Sequence, residues 1–476
     1  MKVMKFGGSS VASGRLMRQV AGIVEAHATA RPLVVTSAMQ GVTDAIEAHL
    51  RTSPHDEAGI PVLVDAVTEK HKTAAREGVR DPHLQGGAVY QVNKIMERLE
   101  RLLYGIAYIE ELTPKARDFA VSFGERLAAP ILSATIADRG IDSRAFDAEQ
   151  VGILTDGSYG NATPRLPDIE RRFQEVLAPY IGEGGVPVVT GFYGVDAQGH
   201  PTIFGRGGSD YVAAILAYAG DAEGLEIWKD VPGFMTTDPN IVPEAHPLRE
   251  MSYDEAAELA NFGAKVLHPR TVEPVALKGI PIRVLNTMEP EAPGTLIHHI
   301  ERVEKVMMRA VAARGALAIV KLIGPGMAYT KGIGERVFTI LNRARVNVIN
   351  MAASQASFAL LIDAADLDRA MAALEEVKGG VIQDTQALRD MALLCVVGKG
   401  LSETPGSAAK ILSVISDVDV NIEMISLGAS DIAIDVIVHA ADRDKAVKAV
   451  HDAFLKGTTE KVARGAAASV PGRQTS

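Results

Sequence analysis

The segment Gly205–Asp210 combines residue types that bind anions and divalent cations. Its sequence, Gly-Arg-Gly-Gly-Ser-Asp, follows an apolar stretch typical of a strand (187–194) and precedes a helical pattern that starts at Tyr211. Glycines let backbone N–H groups approach a ligand, and the first turn of a helix offers unpaired N–H groups. Arg206 could hold a carboxylate or phosphate, while Asp210 could bind Mg²⁺, position phosphates or simply cap the helix. The segment indicates a site for an anion and a divalent cation.

Two other segments carry groups suited to the same chemistry. Lys5 ends a β-like run and is followed by Gly7, Gly8 and Ser9, so this segment could hold phosphate oxygens, although a tight strand-to-helix turn explains it equally well. Glu125, within Ser-Phe-Gly-Glu-Arg-Leu-Ala (122–128), could pair with a substrate ammonium group. A glutamate in the first turn of a helix also commonly interacts with the helix dipole, so both interpretations stay open.

Residues 228–238 and 261–269 could contact a nucleotide. Lys265 stands between a short helical pattern and a proline turn, and aspartates and threonines precede it at loop positions. Taken alone, Trp228 is more typical of a core residue than of a ligand contact. His268, beside Pro269, is more typical of a structural residue than of a catalytic one.

These residues require a scaffold that brings loop ends together. Residues 1–300 alternate short β-like runs with helical patterns, which predicts an α/β fold with a mainly parallel sheet sandwiched by helices. Right-handed crossovers place the loops after the strands along one edge of such a sheet. The predicted strands are Lys2–Phe6, Pro32–Thr36, Ala145–Asp147 with Gly152–Leu154, Val186–Thr190, Gly224–Lys229 and Ile280–Asn286.

Other parts of the chain have a different organisation. A charged, helical stretch over about 60–108 predicts an inserted helical hairpin. After residue 310 the sequence repeats with an offset of 74, so that Val346-Asn347-Val348 matches Val420-Asn421-Ile422. Each copy has the order of a ferredoxin-like βαββαβ module. We expect a catalytic domain over 1–300, modules over 310–385 and 390–460, and a disordered tail over 461–476.

Composition excludes several classes of protein. The chain has 476 residues and a formal net charge of −10, which argues against a nucleic-acid-binding protein. Its single cysteine, Cys395, excludes an internal disulfide framework and a thiolate zinc site. No apolar stretch is long enough for a membrane span, and the N-terminal residues do not have the pattern of a signal peptide. We therefore expect a cytoplasmic protein.

Together these motifs resemble those of the aspartate kinases, members of the amino-acid kinase superfamily with two C-terminal ACT modules. The resemblance covers the chain from Met1 to about Leu455 and rests on KFGGSSV, SFGERLA, GRGGSDY and FGAKVLHP, in that order, with the repeat after them. It implies phosphorylation of the L-aspartate side chain by ATP and Mg²⁺, the first step towards lysine, threonine and methionine. It also implies a homodimer or larger assembly formed through the ACT modules.

The resemblance also implies a function for individual residues. Lys5 would hold the transferring phosphoryl group, Glu125 the substrate ammonium and Arg206 its α-carboxylate, with Thr43 and Ser209 nearby and Asp210 facing phosphates and Mg²⁺. Since the attacking carboxylate is already ionised, catalysis needs positioning and cationic neutralisation and no general base. The implied nucleotide contacts are Lys5, Gly7, Gly8, Ser9, Gly207, Gly208, Lys229, Asp230, Met235, Asn240, Lys265 and Val266.

The chain departs from the family pattern at Lys229, where many members have threonine, and at Met235 and Asn240, where tyrosine and arginine are frequent. Ala353 and Leu427 stand where a glutamine often binds an amino-acid effector. The resemblance still implies an effector such as lysine or threonine, with candidate contacts at Met327, Ala328, Asn347, Val348 and Asn350.

Two other functions are compatible with parts of this pattern. A kinase of the same fold could act on glutamate or acetylglutamate, because the phosphate-binding residues do not distinguish the substrates. A non-catalytic amino-acid sensor could be built around the repeat, although Lys5, Arg206, Asp210 and Lys265 speak against it.

Overall fold

The computed structural model describes residues 1–52, 56–262, 266–300, 308–401 and 403–455. The chain divides into two compact units. The first takes in residues 1–234 and 249–257 and ends at residue 299, while the second takes in 235–248 and has its main part after residue 300. Residues 235–248, which fall within the predicted catalytic domain over 1–300, thus belong to the second unit. Within the described ranges, no helix has the length and apolar character needed to cross a membrane.

The first unit is built on a sheet whose described strands follow the order β3-β4-β2-β1-β7-β9-β10-β8. Neighbouring strands are parallel except β9 and β10, and a separate hairpin joins β5 to β6. The strands are β1 (Lys2–Phe6), β2 (Pro32–Thr36), β3 (Ser143–Phe146), β4 (Val186–Thr190), β5 (Tyr193–Val195), β6 (Pro201–Ile203), β7 (Gly224–Lys229), β8 (Glu250–Ser252), β9 (Ile282–Asn286) and β10 (Thr295–His298).

Eleven helices accompany these strands in the described part of the chain. They are α1 (Gly14–Ala26), α2 (Val42–Thr52), α3 (Gly59–Gly78), α4 (Pro82–Ile109), α5 (Pro114–Val121), α6 (Phe123–Ala137), α7 (Ala148–Val151), α8 (Leu166–Gly182), α9 (Gly208–Ala219), α10 (Tyr253–Asn261) and α11 (Val272–Leu277). The predicted helical hairpin is the pair α3 and α4. Asp81 caps the start of α4, because its side chain accepts hydrogen bonds from the N–H groups of His83 and Leu84. The mainly parallel α/β fold predicted from the sequence is confirmed.

The prediction of a strand at Gly152–Leu154 is wrong. Asp147 starts the short helix α7 with a capping box shared with Gln150, and Gly152 ends it in the left-handed conformation with φ of 77°. The chain therefore turns away after β3, and Leu154 makes only an isolated bridge to Val195. Two other predicted strands begin elsewhere than expected: β3 begins at Ser143 and not at Ala145, and β9 begins at Ile282 and not at Ile280.

The second unit contains the two repeated modules. Its strands are β11 (Ala310–Ile323), β12 (Val348–Ala353), β13 (Ser357–Asp363), β14 (Asp384–Val397), β15 (Ile422–Ser426) and β16 (Ala433–His439), and its helices are α12 (Ile333–Arg343), α13 (Leu367–Leu374), α14 (Ser407–Ser416) and α15 (Arg443–Phe454). Strands β11 and β14, and helices α12 and α14, begin at positions 74 residues apart, which is the offset of the sequence repeat.

The two modules share their long strands. The part of β11 from Leu317 to Ile323 pairs with β13, whereas its beginning, 310–314, pairs with the end of β14 that is bonded to β16. Val311 accordingly belongs to the apolar core of the second module and Ala318 to that of the first. The start of β11 thus adds a strand to the sheet of the second module, and the first half of β14 adds a strand to the sheet of the first module. The predicted module limits at 385 and 390 do not describe this exchange of strands.

Candidate active site

The carboxyl ends of four adjacent parallel strands form one edge of the first unit. Backbone hydrogen bonds continue the sheet past the strand ends: the Gly7 N–H donates to the Trp228 carbonyl at 3.0 Å and the Gly191 N–H to the Thr36 carbonyl at 2.9 Å. The loops after β1, β2, β4 and β7 therefore start side by side. In open α/β sheets this edge is where ligands bind.

Asp210 forms ion pairs with two lysines from neighbouring strands. Its Oδ1 lies 2.5 Å from Lys5 Nζ, near the end of β1, and its Oδ2 lies 3.0 Å from Lys229 Nζ, at the end of β7. The side chains of Lys5 and Asp210 are only 6% and 4% exposed, and that of Lys229 is 18% exposed. We call these three residues the lysine–aspartate cluster. It carries a net positive charge in a largely dehydrated position.

Burial and the neighbouring charges determine the protonation of this cluster. Burial by itself would raise the pKa of Asp210, but the ammonium groups of Lys229 and Lys5 outweigh it and lower the pKa to about 2. Burial lowers the pKa of Lys5 from its ordinary value, against the attraction of Asp210. Asp210 is therefore ionised at every physiological pH and can hold both lysines.

Glu125 presents an unpaired carboxylate oxygen beside this cluster. The N–H of Ala38 donates to Glu125 Oε1 at 3.0 Å, and the Ser209 hydroxyl donates to the same oxygen at 3.4 Å. Its other oxygen, Oε2, is buried without a hydrogen-bond partner. Burial raises the pKa of Glu125 to about 8, against the hydrogen bonds from Ala38 and Ser209 and the charge of Lys5. A buried acid with an open oxygen is suited to receive a cationic group.

Two glycines allow the loops around Glu125 to approach each other. A Cβ on Gly124 would lie 2.7 Å from Ala38 Cβ and 3.0 Å from Thr43 Oγ1, and a Cβ on Gly191 would lie 2.7 Å from Ser209 Cβ. The two distances of 2.7 Å are too short for an unstrained side chain, and the distance of 3.0 Å is tight. The absence of side chains at these positions lets α6, the first turn of α2 and the start of α9 meet, and this places Thr43 and Ser209 near Glu125.

Arg206 lies in the loop that leads into α9. Gly205 and Gly207 flank it with φ of 78° and 72°, and its side chain is exposed. Arg206 and the lysine–aspartate cluster both act on His268. Burial lowers the pKa of the His268 imidazole, and the charge of Asp210 opposes this effect. The cations Lys229 and Arg206 lower the same pKa further. Arg206 therefore lies within electrostatic range of the same imidazole as Asp210 and Lys229.

The remaining predicted nucleotide contacts have different outcomes. Ser9 is half-buried in the loop after β1, and Gly8 is fitted so closely there that a Cβ would lie 2.8 Å from the Ala38 carbonyl oxygen. Gly207 and Gly208 start α9, and Asp230 is exposed directly after β7. Lys265 lies outside the described residues, and Val266 is half-buried just after that gap.

Met235 and Asn240 are in the second compact unit and not in the first. Asn240 donates its side-chain amide to Asp238 Oδ1 at 2.9 Å, and Met235 forms a bridge with Pro247. They are therefore not among the residues that the first unit brings together at its sheet edge.

Sequence reasoning did not foresee the contact between Lys229 and Asp210. The sequence predicts Lys229 only as a nucleotide contact, because the order of strands within a sheet cannot be read from chain order. The register of β1 with β7 pairs Phe6 with Trp228, so the residues that follow, Gly7 and Lys229, are level with each other. His268 was also set aside, and Trp228, stacked on Phe6 at 5.9 Å, is a buried core residue.

The described residues contain no group of three or more histidine, cysteine, aspartate or glutamate side chains that could hold a metal ion by themselves. Asp210 is the one carboxylate within the lysine–aspartate cluster, and both of its oxygens contact ammonium groups. This arrangement fits Mg²⁺ only in its usual mode in phosphoryl-transfer sites, where phosphate oxygens and water supply most of the ligands.

The predicted effector residues lie in the first module of the second unit. Met327 is buried in that module's core, Asn347 is exposed, and Val348 is half-buried at the start of β12. Asn350 donates to Asp435 Oδ2 at 2.9 Å, and so contacts the second module. The side chain of Ala328 lies outside the described part of the chain.

Family models and related proteins match nearly the whole length of this chain. Residues 1–286 match the model of the amino acid kinase family, and residues 320–377 and 394–454 match an ACT domain model. Aspartokinase 3, chloroplastic, of Arabidopsis thaliana is 32% identical over 469 residues, covering 96% of this chain and 82% of that protein. Lysine-sensitive aspartokinase 3 of Escherichia coli is 33% identical, covering 94% of this chain and 98% of that protein.

Solved structures show the same likeness over the whole fold. E. coli aspartokinase III in complex with aspartate and ADP superimposes with a TM-score of 0.82 at 30% identity, covering 95% of this chain and 99% of that one. The structure of the same enzyme with lysine and aspartate gives a TM-score of 0.79, covering 96% and 99% of the two chains.

Proposed function

This chain belongs to the amino acid kinase family and to its aspartokinase branch, and we propose that it transfers the γ-phosphoryl group of ATP to the side-chain carboxylate of L-aspartate. The product is 4-phospho-L-aspartate, which enters lysine, threonine and methionine synthesis. The observation that carries this proposal is the buried lysine–aspartate cluster beside Glu125, whose Oε2 has no hydrogen-bond partner. It joins a cationic site for phosphates to an anionic site for an ammonium group.

The lysine–aspartate cluster supplies the phosphate side of the proposed reaction. In the free enzyme Asp210 holds Lys5 and Lys229 in place. When a nucleotide binds, the two ammonium groups turn their remaining N–H bonds to phosphate oxygens, with Gly7, Gly8 and the start of α9 supplying backbone N–H groups. Preorganised cations stabilise the charge that develops on the transferring group, because they need little rearrangement during the reaction.

The substrate side of the site suits an amino acid with a second carboxylate. The open oxygen of Glu125 receives the α-ammonium group, and Arg206 forms a bidentate pair with the α-carboxylate. Thr43 and Ser209 border the same space. The side-chain carboxylate is then free to face the γ-phosphate. Since it is already ionised, the reaction needs no general base, and the two anions are brought together by the surrounding cations.

Asp210 is the residue of the lysine–aspartate cluster that would hold Mg²⁺ when the nucleotide is bound. The ion would supply positive charge that neutralises part of the charge on the phosphates. On the nucleotide side, Asp230 is exposed at the end of β7 and is proposed to contact the nucleotide together with Lys265 and Val266.

Regulation by an amino acid through the ACT modules is part of the proposal. A relative was solved with lysine bound, and a curated relative is described as lysine-sensitive. In this chain the strand β12 carries Val348 and Asn350, and Asn350 links the two modules through Asp435. We propose lysine or threonine as the effector and at least a dimer as the active assembly. Inhibition kinetics with each amino acid and sedimentation analysis test both statements.

The activity is tested by the formation of an acyl phosphate. Purified protein with ATP and Mg²⁺ should release ADP only when L-aspartate is present, and hydroxylamine should trap the product as aspartyl hydroxamate. Glutamate and acetylglutamate, assayed in parallel, should give no comparable hydroxamate. Turnover of either of these acids in preference to aspartate, or ADP release that is independent of an acid, would refute the proposal.

A further inference from the structure

A recess on the first unit is lined by residues from α4, α6, β3 and α7. Its volume is about 930 Å³, within the size range of small-molecule sites. It is separate from the proposed active site, because its lining includes none of Lys5, Glu125, Arg206 and Asp210.

The recess has a strong excess of positive charge. Five cationic side chains line it, against the two carboxylates of Glu97 and Asp147. The five are Lys94, Arg98, Arg101, Arg126 and Arg144. The positive charge of the recess contrasts with the formal net charge of −10 of the whole chain. Such a local excess, partly walled by protein, attracts anions.

In the described part of the chain, only Arg126 among these cations forms an ion pair with a carboxylate, although Asp147 lies within electrostatic range of Arg98 and Glu97 within that of Lys94. Arg126, buried at the floor, pairs with Asp147 at 3.0 Å and also with Glu149. The described residues provide no carboxylate in an ion pair with Lys94, Arg98, Arg101 or Arg144. Lys94 and Arg144 instead lie over the rings of Tyr90 and Tyr180, at 5.0 and 4.9 Å.

Three of these cations lie on one face of α4. Lys94 and Arg98 are four residues apart, and Arg101 is three residues further. Like charges at this spacing repel each other, and the single carboxylate of Glu97, three residues from Lys94 and four from Arg101, offsets only part of this repulsion. Apolar side chains from α4 and α6 also contribute to the lining, namely Leu84, Ile95, Pro130 and Ala134.

We propose that this recess binds a small molecule that carries two or more phosphate or carboxylate groups on an apolar or aromatic body. Cations distributed over α4 and β3 require more than one anionic group to neutralise them. The apolar residues of the lining provide a surface for the body of the molecule, and arginine planes can stack on an aromatic ring.

The test is calorimetric titration of the full chain with two probes, pyrophosphate and the aromatic tricarboxylate trimesate. The titrations are done in metal-free buffer and repeated with Lys5→Ala, so that a probe bound at the lysine–aspartate cluster is distinguished from a probe bound in the recess. We expect binding at one site per chain that weakens as salt is added. Tighter binding of pyrophosphate would indicate a phosphate ligand, and tighter binding of trimesate a polycarboxylate.

Charge reversal identifies the site. The variant Lys94→Glu/Arg101→Glu changes two exposed side chains and should weaken probe binding roughly tenfold or more. Arg144→Ala, on β3, should weaken it independently. The control Arg171→Glu alters an exposed arginine on α8 away from the recess lining and should leave the affinity unchanged. Thermal melts show whether each variant is folded.

Three results would overturn the proposal. These are a lack of binding of both probes to the parent protein, equal losses in the control variant, and unchanged affinity in both recess variants. If charge reversal instead changed the subunit number in sedimentation while neither probe bound, the recess would be a subunit interface.

Discussion

The protonation of Glu125 makes aspartate binding depend on pH in a direction that can be measured. Burial raises its pKa to about 8, so at pH 7 about nine tenths of the free enzyme carries a neutral Glu125. The proposed ammonium contact requires the ionised form. Binding must therefore release a proton from Glu125 when the pH lies below 8, and hardly any when the pH lies well above it.

The size of the effect follows from the same pKa. At pH 7 binding should release about 0.9 proton, and at pH 8 about 0.5. Ionising Glu125 costs about 1.4 kcal/mol at pH 7, so the apparent dissociation constant for aspartate should be about fivefold higher at pH 7 than at pH 8. The dependence should flatten above pH 8, because Glu125 is then increasingly ionised in the free enzyme. Asp210, with a pKa of about 2, stays ionised throughout and adds no pH dependence in this range.

Calorimetry in two buffers with different ionisation enthalpies counts the protons directly. Glu125→Gln should bind aspartate weakly and without proton release, since an amide cannot ionise. Succinate, which lacks the ammonium group, should bind the parent enzyme without proton release. If aspartate binding at pH 7 releases no proton, or if aspartate binds more tightly as the pH falls from 8 to 7, the assignment of Glu125 to the ammonium group is wrong.

Three further perturbations test the site. Lys5→Ala should lower kcat by about a hundredfold or more with a small change in the aspartate KM, whereas Lys2→Ala on the same strand should not; equal kcat values would contradict the proposed phosphate contact. Gly124→Ala should raise the aspartate KM and lower the free energy of unfolding by about 1–3 kcal/mol, because its Cβ lies too close to Ala38 and Thr43. Gly105→Ala, in α4 with open space around it, should instead stabilise by about 0.5–1 kcal/mol, and chemical denaturation compares the two. Asp210→Asn should remove about 3–5 kcal/mol of stability, because two lysines lose their counter-ion, and a loss below 1 kcal/mol in denaturant titration would refute the cluster's structural importance. Since the pKa of Asp210 is lowered from 3.8 to about 2, its contribution is present above pH 4 and is lost only as the pH falls towards 2.

Much of the fold could be predicted because local patterns determine it. The strands β1, β2, β4 and β7 have the predicted limits, since each is a short run rich in buried apolar residues that is followed by glycine or a polar residue. The repeat was visible as an offset of 74 residues. The failure at Gly152–Leu154 has a local cause, since an apolar triplet after a capped helical turn looks like a strand when the cap at Asp147 is overlooked.

The residue types of the site could be predicted from the sequence, whereas the positions of these residues relative to each other could not. Sequence patterns indicated Lys5, Glu125 and Asp210 as candidates, and their proposed functions stay predictions. The sequence could not give the order β2-β1-β7, and that order decides that Lys5 and Lys229 approach Asp210 from two strands. It also could not show that residues 235–248 pack with the second unit, since that depends on contacts between segments far apart in the chain.

The charge of the lysine–aspartate cluster argues for function over stability. A structural ion pair is least costly when it is neutral, as a single lysine with Asp210 would be. Lys229 adds a second cation to a carboxylate that Lys5 already neutralises, and it is only 18% exposed. Burying this excess positive charge destabilises the free protein unless an anion binds beside it. A nucleotide phosphate satisfies both lysines at once, so the arrangement is easier to explain as a site prepared for phosphates than as a support for the sheet.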